Sequence, residues 1–274
     1  MDWLQAIVLG LGQGLTEFLP VSSSAHLRII PAFAGWGDPG AAFTAVVQLG
    51  TMAAELLFFR KDLLRIGRAW FGALRRPALR GTLDARLGWY LILGTLPIAI
   101  VGLALENDIE TTFRSLALIA TTLIALALVL LVADRRGKRR RRIADLTLRD
   151  GLIMGAAQTL ALVPGVSRSG ATLSAGLFLG LALQAAARFS FLLSIPAVVL
   201  SGLYQLLDIF RGEESAGIGA GGLILATVLA FFAGYASIAF ILHYVGTHSF
   251  GVFAYYRIAL GAVVLALVAV GAIS

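Results

Sequence analysis

An arginine, two serines and a threonine sit together in an otherwise apolar stretch, Pro164-Gly165-Val166-Ser167-Arg168-Ser169-Gly170-Ala171-Thr172. A guanidinium at bilayer depth costs roughly 2.5 to 3.5 kcal/mol on insertion scales, so something must offset it. An anion would. Arg168 presents a planar fork that matches two phosphate oxygens. Ser167, Ser169 and Thr172 add hydroxyl donors, and Gly165 and Gly170 let the backbone come close. A short helix starting near Ser169 would point its N-terminal amides at the same anion. A second polar cluster lies near the start of the chain. Gln13 and Glu17 share a helix face at i, i+4, and Pro20, Ser22-Ser23-Ser24 and His26 follow. A carboxylate, an imidazole, a guanidinium and several hydroxyls are the groups that phosphoryl hydrolysis needs. Glu17, Ser23, His26 and Arg168 are the catalytic candidates. Ser22, Ser167, Arg168, Ser169, Gly170 and Thr172 are the phosphate-binding candidates.

These residues need a scaffold, and composition says which. The chain of 274 residues is 59% hydrophobic and 14% charged, which marks an integral membrane protein. It has no cysteine, hence neither a disulfide framework nor a thiol nucleophile. No signal-peptide pattern opens it. Of its 22 Lys and Arg, eight lie in 60–86 and seven in 135–142. That clustering is a topology signal beside anionic lipid headgroups and argues against nucleic acid as a partner. Apolar runs at 42–59, 88–105, 115–133, 186–207, 218–242 and 253–273 are long enough to span. Basic loops 60–87 and 134–149 fall on the cytoplasmic side, and acidic loops 106–114 and 208–217 on the outside.

Two stretches remain, 1–41 and 150–185. Each opens with a short apolar segment, 3–19 or 151–163, and breaks at a proline among Ser, Gly and Thr. Such segments read as re-entrant hairpins lining a polar cavity. They also resemble each other. An offset of 145 sets Gly10-x-x-Gln13 on Gly155-x-x-Gln158 and Ser22-Ser23-Ser24 on Ser167-Arg168-Ser169. A hairpin plus three spans therefore occurs twice, and an odd span count inverts the second copy. The expected fold is an all-α integral membrane protein: six transmembrane helices plus two re-entrant helical hairpins in an inverted-topology repeat. It forms a single membrane domain over 1–274, with repeats at about 1–133 and 150–274 joined by basic loop 134–149. Inverted repeats bring interrupted segments together near the midplane, which would unite Glu17, His26 and Arg168.

Lesser candidates read structurally. Glu55 lies four residues before Phe59-Arg60, where it would snorkel or pair locally. Arg188 and Arg257 sit near span starts, where headgroup contact suffices. Gln48 and Thr51 line up with Glu55 and could face the cavity. His243 and His248 read as interfacial, and Trp3, Trp89 and Tyr255-Tyr256 as interface anchors.

The stretch Gly12-Gln13-Gly14-Leu15-Thr16-Glu17-Phe18-Leu19-Pro20-Val21-Ser22-Ser23-Ser24-Ala25-His26-Leu27, together with 164–172 and Ala187-Arg188-Phe189-Ser190-Phe191-Leu192-Leu193-Ser194-Ile195-Pro196, resembles the signatures of the undecaprenyl pyrophosphate phosphatase family, the bacterial bacitracin-resistance phosphatases. The resemblance covers nearly the whole chain. It implies hydrolysis of undecaprenyl pyrophosphate to the monophosphate, a divalent cation (Mg2+ or Ca2+), and a site opening to the external face of the bacterial inner membrane. It implies further that Glu17 and Gln13 match an acidic pair, with Gln13 where a second Glu is common, and that these two would hold the metal. Ser23 and His26 match the nucleophile or acid/base positions, and which is the nucleophile stays open. Ser167, Arg168 and Thr172 match the phosphate loop. The rival class is transport: a lipid-phosphate flippase or anion carrier could use the same midplane site. Oligomeric state, including a homo-oligomer, also stays open.

Overall fold

The computed structural model describes residues 2–104, 115–211 and 219–273, without the side chains of Ala41 and 205–211. The expected acidic loop 106–114 lies outside these residues, as does 212–217 of the second. The described residues form eleven α-helices and no β-strand, apart from an isolated bridge between Arg141 and Leu181.

Helices α1 (Trp3–Glu17) and α2 (Ser23–Ala34) make the first hairpin. α3 (Gly40–Phe58) bends by 68° into α4 (Arg60–Arg75). α5 (Leu83–Ala104) and α6 (Leu116–Arg136) complete the first half. α7 (Leu148–Thr159) and α8 (Arg168–Phe178) make the second hairpin. α9 (Leu183–Arg211), α10 (Ala220–Tyr244) and α11 (Gly251–Ala269) follow. Five helices are long and apolar enough to cross a membrane, or six if the bent pair α3–α4 is one span. The chain is a multi-pass membrane protein; five of the six expected spans coincide with these long helices, and the run 42–59 falls on α3 of the bent pair.

One expectation needs correcting. Segment 60–87 is not a plain loop: its first part is α4, which buries Asp62, Ile66 and Ala73 and leaves Leu64, Phe71 and Leu74 exposed. The dense basic residues mask an amphipathic period. On this face Asp62 accepts two hydrogen bonds from Arg188 Nη2, at 2.8 and 2.7 Å, so Arg188 pairs with protein rather than serving headgroups alone.

The packing runs crosswise between halves. α1 lies against α10, and α7 against α5. Glycines permit both crossings: a Cβ at Gly10 would sit 2.5 Å from the Ala226 carbonyl oxygen, and one at Gly155 2.0 Å from that of Gly94. With little hydrophobic drive in lipid, such close backbone contact supplies the packing. The hairpin helices also start alike. The Asp2 N–H donates to Gln5 Oε1 at 3.2 Å, and the Thr147 N–H to Asp150 Oδ2 at 2.8 Å.

Candidate active site

Each hairpin reverses at a serine held at positive φ. Ser22 has φ 72°, ψ 96°, and Ser167 has φ 70°, ψ 115°. Non-glycine residues rarely occupy this region, and the cost is of order 1–3 kcal/mol. Each serine precedes the first residue of its second helix, Ser23 of α2 or Arg168 of α8. The strained turn therefore fixes the direction in which that residue leaves the helix start. In each turn the hydroxyls of serines two residues apart meet: Ser22 and Ser24 at 3.1 Å, Ser167 and Ser169 at 3.2 Å. Ser167 Oγ also caps α8 by accepting from the Gly170 N–H at 3.2 Å.

The turns meet at Glu17. Its Oε1 accepts from Arg168 Nη2, and its Oε2 accepts from Gln13 Nε2 at 2.9 Å and from Ser23 Oγ at 2.5 Å. Ser169 Oγ donates to the Leu19 carbonyl at 3.1 Å, a second tie between turns. Thr172 Oγ1 meets Ser190 Oγ of α9 and donates to the Arg168 carbonyl at 2.9 Å, bracing the root of that arginine. Glu17, Gln13, Ser23, Arg168, Ser169 and Thr172 thus form one network.

His26 stands apart from these hydrogen bonds. Its Nδ1 lies 2.7 Å from the Ser22 carbonyl and its Nε2 2.7 Å from the Tyr256 hydroxyl. A carbonyl only accepts, so Nδ1 carries the proton and Nε2 accepts from Tyr256. Tyr256 is therefore more than an interface anchor.

Arg257 overturns its expectation outright. It is fully buried rather than facing headgroups. Its Nη1 donates to the Pro20 carbonyl at 3.3 Å, and its Nη2 to those of Gly165 and Val166, both at 2.9 Å. One guanidinium thus clamps both turns. A Cβ at Gly170 would fall 2.7 Å from Arg257 Nη1, which is why glycine is needed there. The sequence signal was present, since Arg257 lies in an apolar run, but its partners are remote. Glu55 is also misplaced by the expectation of snorkelling: it is 1% exposed and bonded by Ser194 Oγ at 2.6 Å.

Among the described residues no three His, Cys, Asp or Glu side chains cluster as a metal site. Gln13 Oε1, beside Glu17, is a buried acceptor without a partner. That oxygen and the Glu17 carboxylate are hard donors suited to Mg2+ or Ca2+, provided substrate oxygens and water complete the shell.

Fold and site define an all-helical, multi-pass membrane protein with a buried acid–guanidinium–hydroxyl centre shared by two hairpins. The family described as "Bacitracin resistance protein BacA" matches residues 6–263. The chain is 58% identical over 274 residues to an undecaprenyl-diphosphatase of Nocardioides sp., covering 100% of this chain and 99% of the relative. It is 53% identical over 274 residues to an undecaprenyl-diphosphatase of Thermobifida fusca, covering 100% and 93%. To undecaprenyl-diphosphatase 2 of Streptomyces avermitilis it is 50% identical over 286 residues, covering 100% and 97%. The chain belongs to the bacitracin resistance protein BacA family.

Proposed function

We propose that this chain hydrolyses undecaprenyl diphosphate to undecaprenyl phosphate and inorganic phosphate, recycling the lipid carrier for peptidoglycan synthesis and conferring bacitracin resistance. The observation that carries this is the Glu17 carboxylate, hydrogen-bonded at once by Ser23 and Arg168 from opposite hairpins. A phosphate entering between them competes with Glu17 for the Arg168 fork. Glu17, released from that pairing, is placed to take the Ser23 proton. Ser23 Oγ then attacks the terminal phosphorus, the bond to the bridging oxygen breaks, and undecaprenyl phosphate leaves. Water cleaves the phosphoserine, releasing inorganic phosphate. Arg168, Ser167, Ser169, Ser22, Thr172 and the Gly170 amide hold or brace the phosphoryl oxygens. We assign the nucleophile to Ser23 because both His26 nitrogens are engaged elsewhere. A divalent cation held by Glu17 and Gln13 would supply charge neutralisation at the diphosphate.

The domain is read as inverted repeats at about 1–133 and 150–274, with 134–149 on the cytoplasmic side of a bacterial inner membrane and the site opening outward. The crosswise packing of α1 on α10 and α7 on α5 supports this. So do the paired positive-φ serines. The relatives' names speak for hydrolysis and not for transport. The test is phosphate release from undecaprenyl diphosphate by purified protein, with EDTA and Glu17→Ala as controls, followed by phosphoenzyme trapping. Release is expected, with label on Ser23. No release with any divalent cation would sink the reading, and label on His26 would overturn the assignment of Ser23.

A further inference from the structure

Buried acids among the described residues come with arginines: Glu17 with Arg168, Asp62 with Arg188, Asp134 with Arg139, Asp150 with Arg141. Glu55 differs. It is buried within α3, and its hydrogen-bond partner is Ser194 Oγ of α9. Ser194 Oγ also lies 2.7 Å from the Phe191 carbonyl oxygen. A serine has one proton to give, and a carbonyl has none. With Glu55 ionised, the one hydroxyl proton is split between two acceptors; with Glu55 protonated, both contacts are full hydrogen bonds. An acid within a span, paired by one hydroxyl, marks a functional site rather than a packing device.

Its position ties it to the phosphate turn. Ser190 lies one helical turn before Ser194 on α9 and meets Thr172 Oγ1, which donates to the carbonyl of Arg168. The row from Glu55 through Ser194, Ser190 and Thr172 thus ends at the root of Arg168. The charges that act on Glu55 are Arg168 of α8 and Glu17 of α1. α10, on another side of α3, contributes the Thr227 carbonyl against Gly50 and Gly234 against Thr51, neither of which titrates. At the junction with α4, Arg60 turns back onto the Leu57 carbonyl at 3.2 Å.

We propose that Glu55 is a positioning acid of the phosphate site, whose proton is retained when the diphosphate binds. Protonated, it leaves the charge of Arg168 to the substrate. Ionised, it competes for that charge and repels the incoming anion. Above its titration, each substrate bound takes one proton from solvent onto Glu55. The proposal rests on Arg168 being the phosphate ligand.

The test is the Michaelis parameters of the full chain in detergent across about pH 6 to 10, for wild type, Glu55→Gln and Ser194→Ala. Wild-type KM is expected to rise about tenfold per pH unit on the alkaline side, as one linked proton requires, while kcat changes less. Glu55→Gln, a mimic of the neutral acid, is expected to keep the acid-side KM throughout. A Glu55→Gln profile that repeats the wild-type rise overturns the proposal. Should Glu55→Gln fail to fold, Ser194→Ala decides: its rise must begin at a different pH, and an unmoved onset is fatal to the idea. Calorimetry with inorganic pyrophosphate in two buffers of unlike ionisation enthalpy reads proton uptake directly. Uptake by wild type alone supports the role, and none by wild type removes it. A wild type that binds pyrophosphate with proton uptake yet releases no phosphate would fail the phosphatase reading while sparing Glu55.

Discussion

The two hairpin turns share a backbone geometry and carry different side chains. Both pass through a positive-φ serine and begin a helix at the next residue, at positions 145 apart. Both lend a carbonyl to Arg257, from Pro20 and from Gly165. At the first helical position one turn carries Ser23 and the other Arg168. Where one has Glu17, the other has Leu162, and opposite His26 stands Ala171. The two turns thus share a geometry while their side chains differ, acid and hydroxyl in one, a cation in the other.

The largest effect should come from the cationic turn. Arg168→Ala is expected to lower kcat for phosphate release about 10²- to 10³-fold, the usual loss for one preorganised charge donor. Arg168→Lys should recover little, because a point charge cannot replace the fork. A near-normal rate in either variant would break the division of labour. Next comes the residue that serves both turns. Arg257→Leu leaves three buried carbonyls short of a donor and should cost about 2–4 kcal/mol, read as a fall in thermal midpoint in detergent. Tyr256→Phe touches only the first turn. It removes the hydroxyl that His26 Nε2 accepts from, and about a tenfold fall in turnover is expected if His26 aids proton transfer. The smallest effects lie in the backbone. Ser22→Gly relieves the strained φ where the hydroxyl caps nothing and should stabilise by up to about 1 kcal/mol. Ser167→Gly gives back part of that gain by losing its cap. Equal shifts in unfolding for the two would mean that the cap at Ser167 contributes nothing.

Outside the turns, the start of the second hairpin carries the Arg141–Asp150 ion pair, which has no counterpart at the start of the first among the described residues. Burial alone would raise the Asp150 carboxyl, but hydrogen bonds from Arg141 and Thr147 outweigh it and hold the group below its ordinary 3.8. A depressed carboxylate stabilises the fold above its unfolded value, and that contribution is lost as pH falls through the folded value. Asp150→Asn should lower the thermal midpoint at neutral pH and flatten its acid limb.

Much of this was legible in residue types. The five long spans and α3 follow from apolar runs. Arg168 and Glu17 stood out because charge in a greasy segment demands a partner. The internal offset of 145 sets Ser22 on Ser167, the two serines that hold positive φ in the turns. What escaped was contact across the sequence. Arg257 begins a span, where an arginine usually meets headgroups, and nothing local says that α11 starts against two buried turns. Glu55 was visible as an acid within a span, yet Ser194 is 139 positions away. α4 was hidden by its own charge density. Tyr256 looked like a membrane anchor because its role depends on the fold of α2 beside it.

The clamp by Arg257 has a consequence for biogenesis. Both turns are held by a guanidinium that is translated after either of them. The first hairpin enters the membrane long before that side chain exists, and the second precedes it by most of three helices. Until α11 inserts, the carbonyls of Pro20, Gly165 and Val166 lack this donor, and Glu17 and Arg168 lack a fixed frame. On the proposed site, hydrolytic competence arrives with α11, and a chain cut before it is expected to release no phosphate.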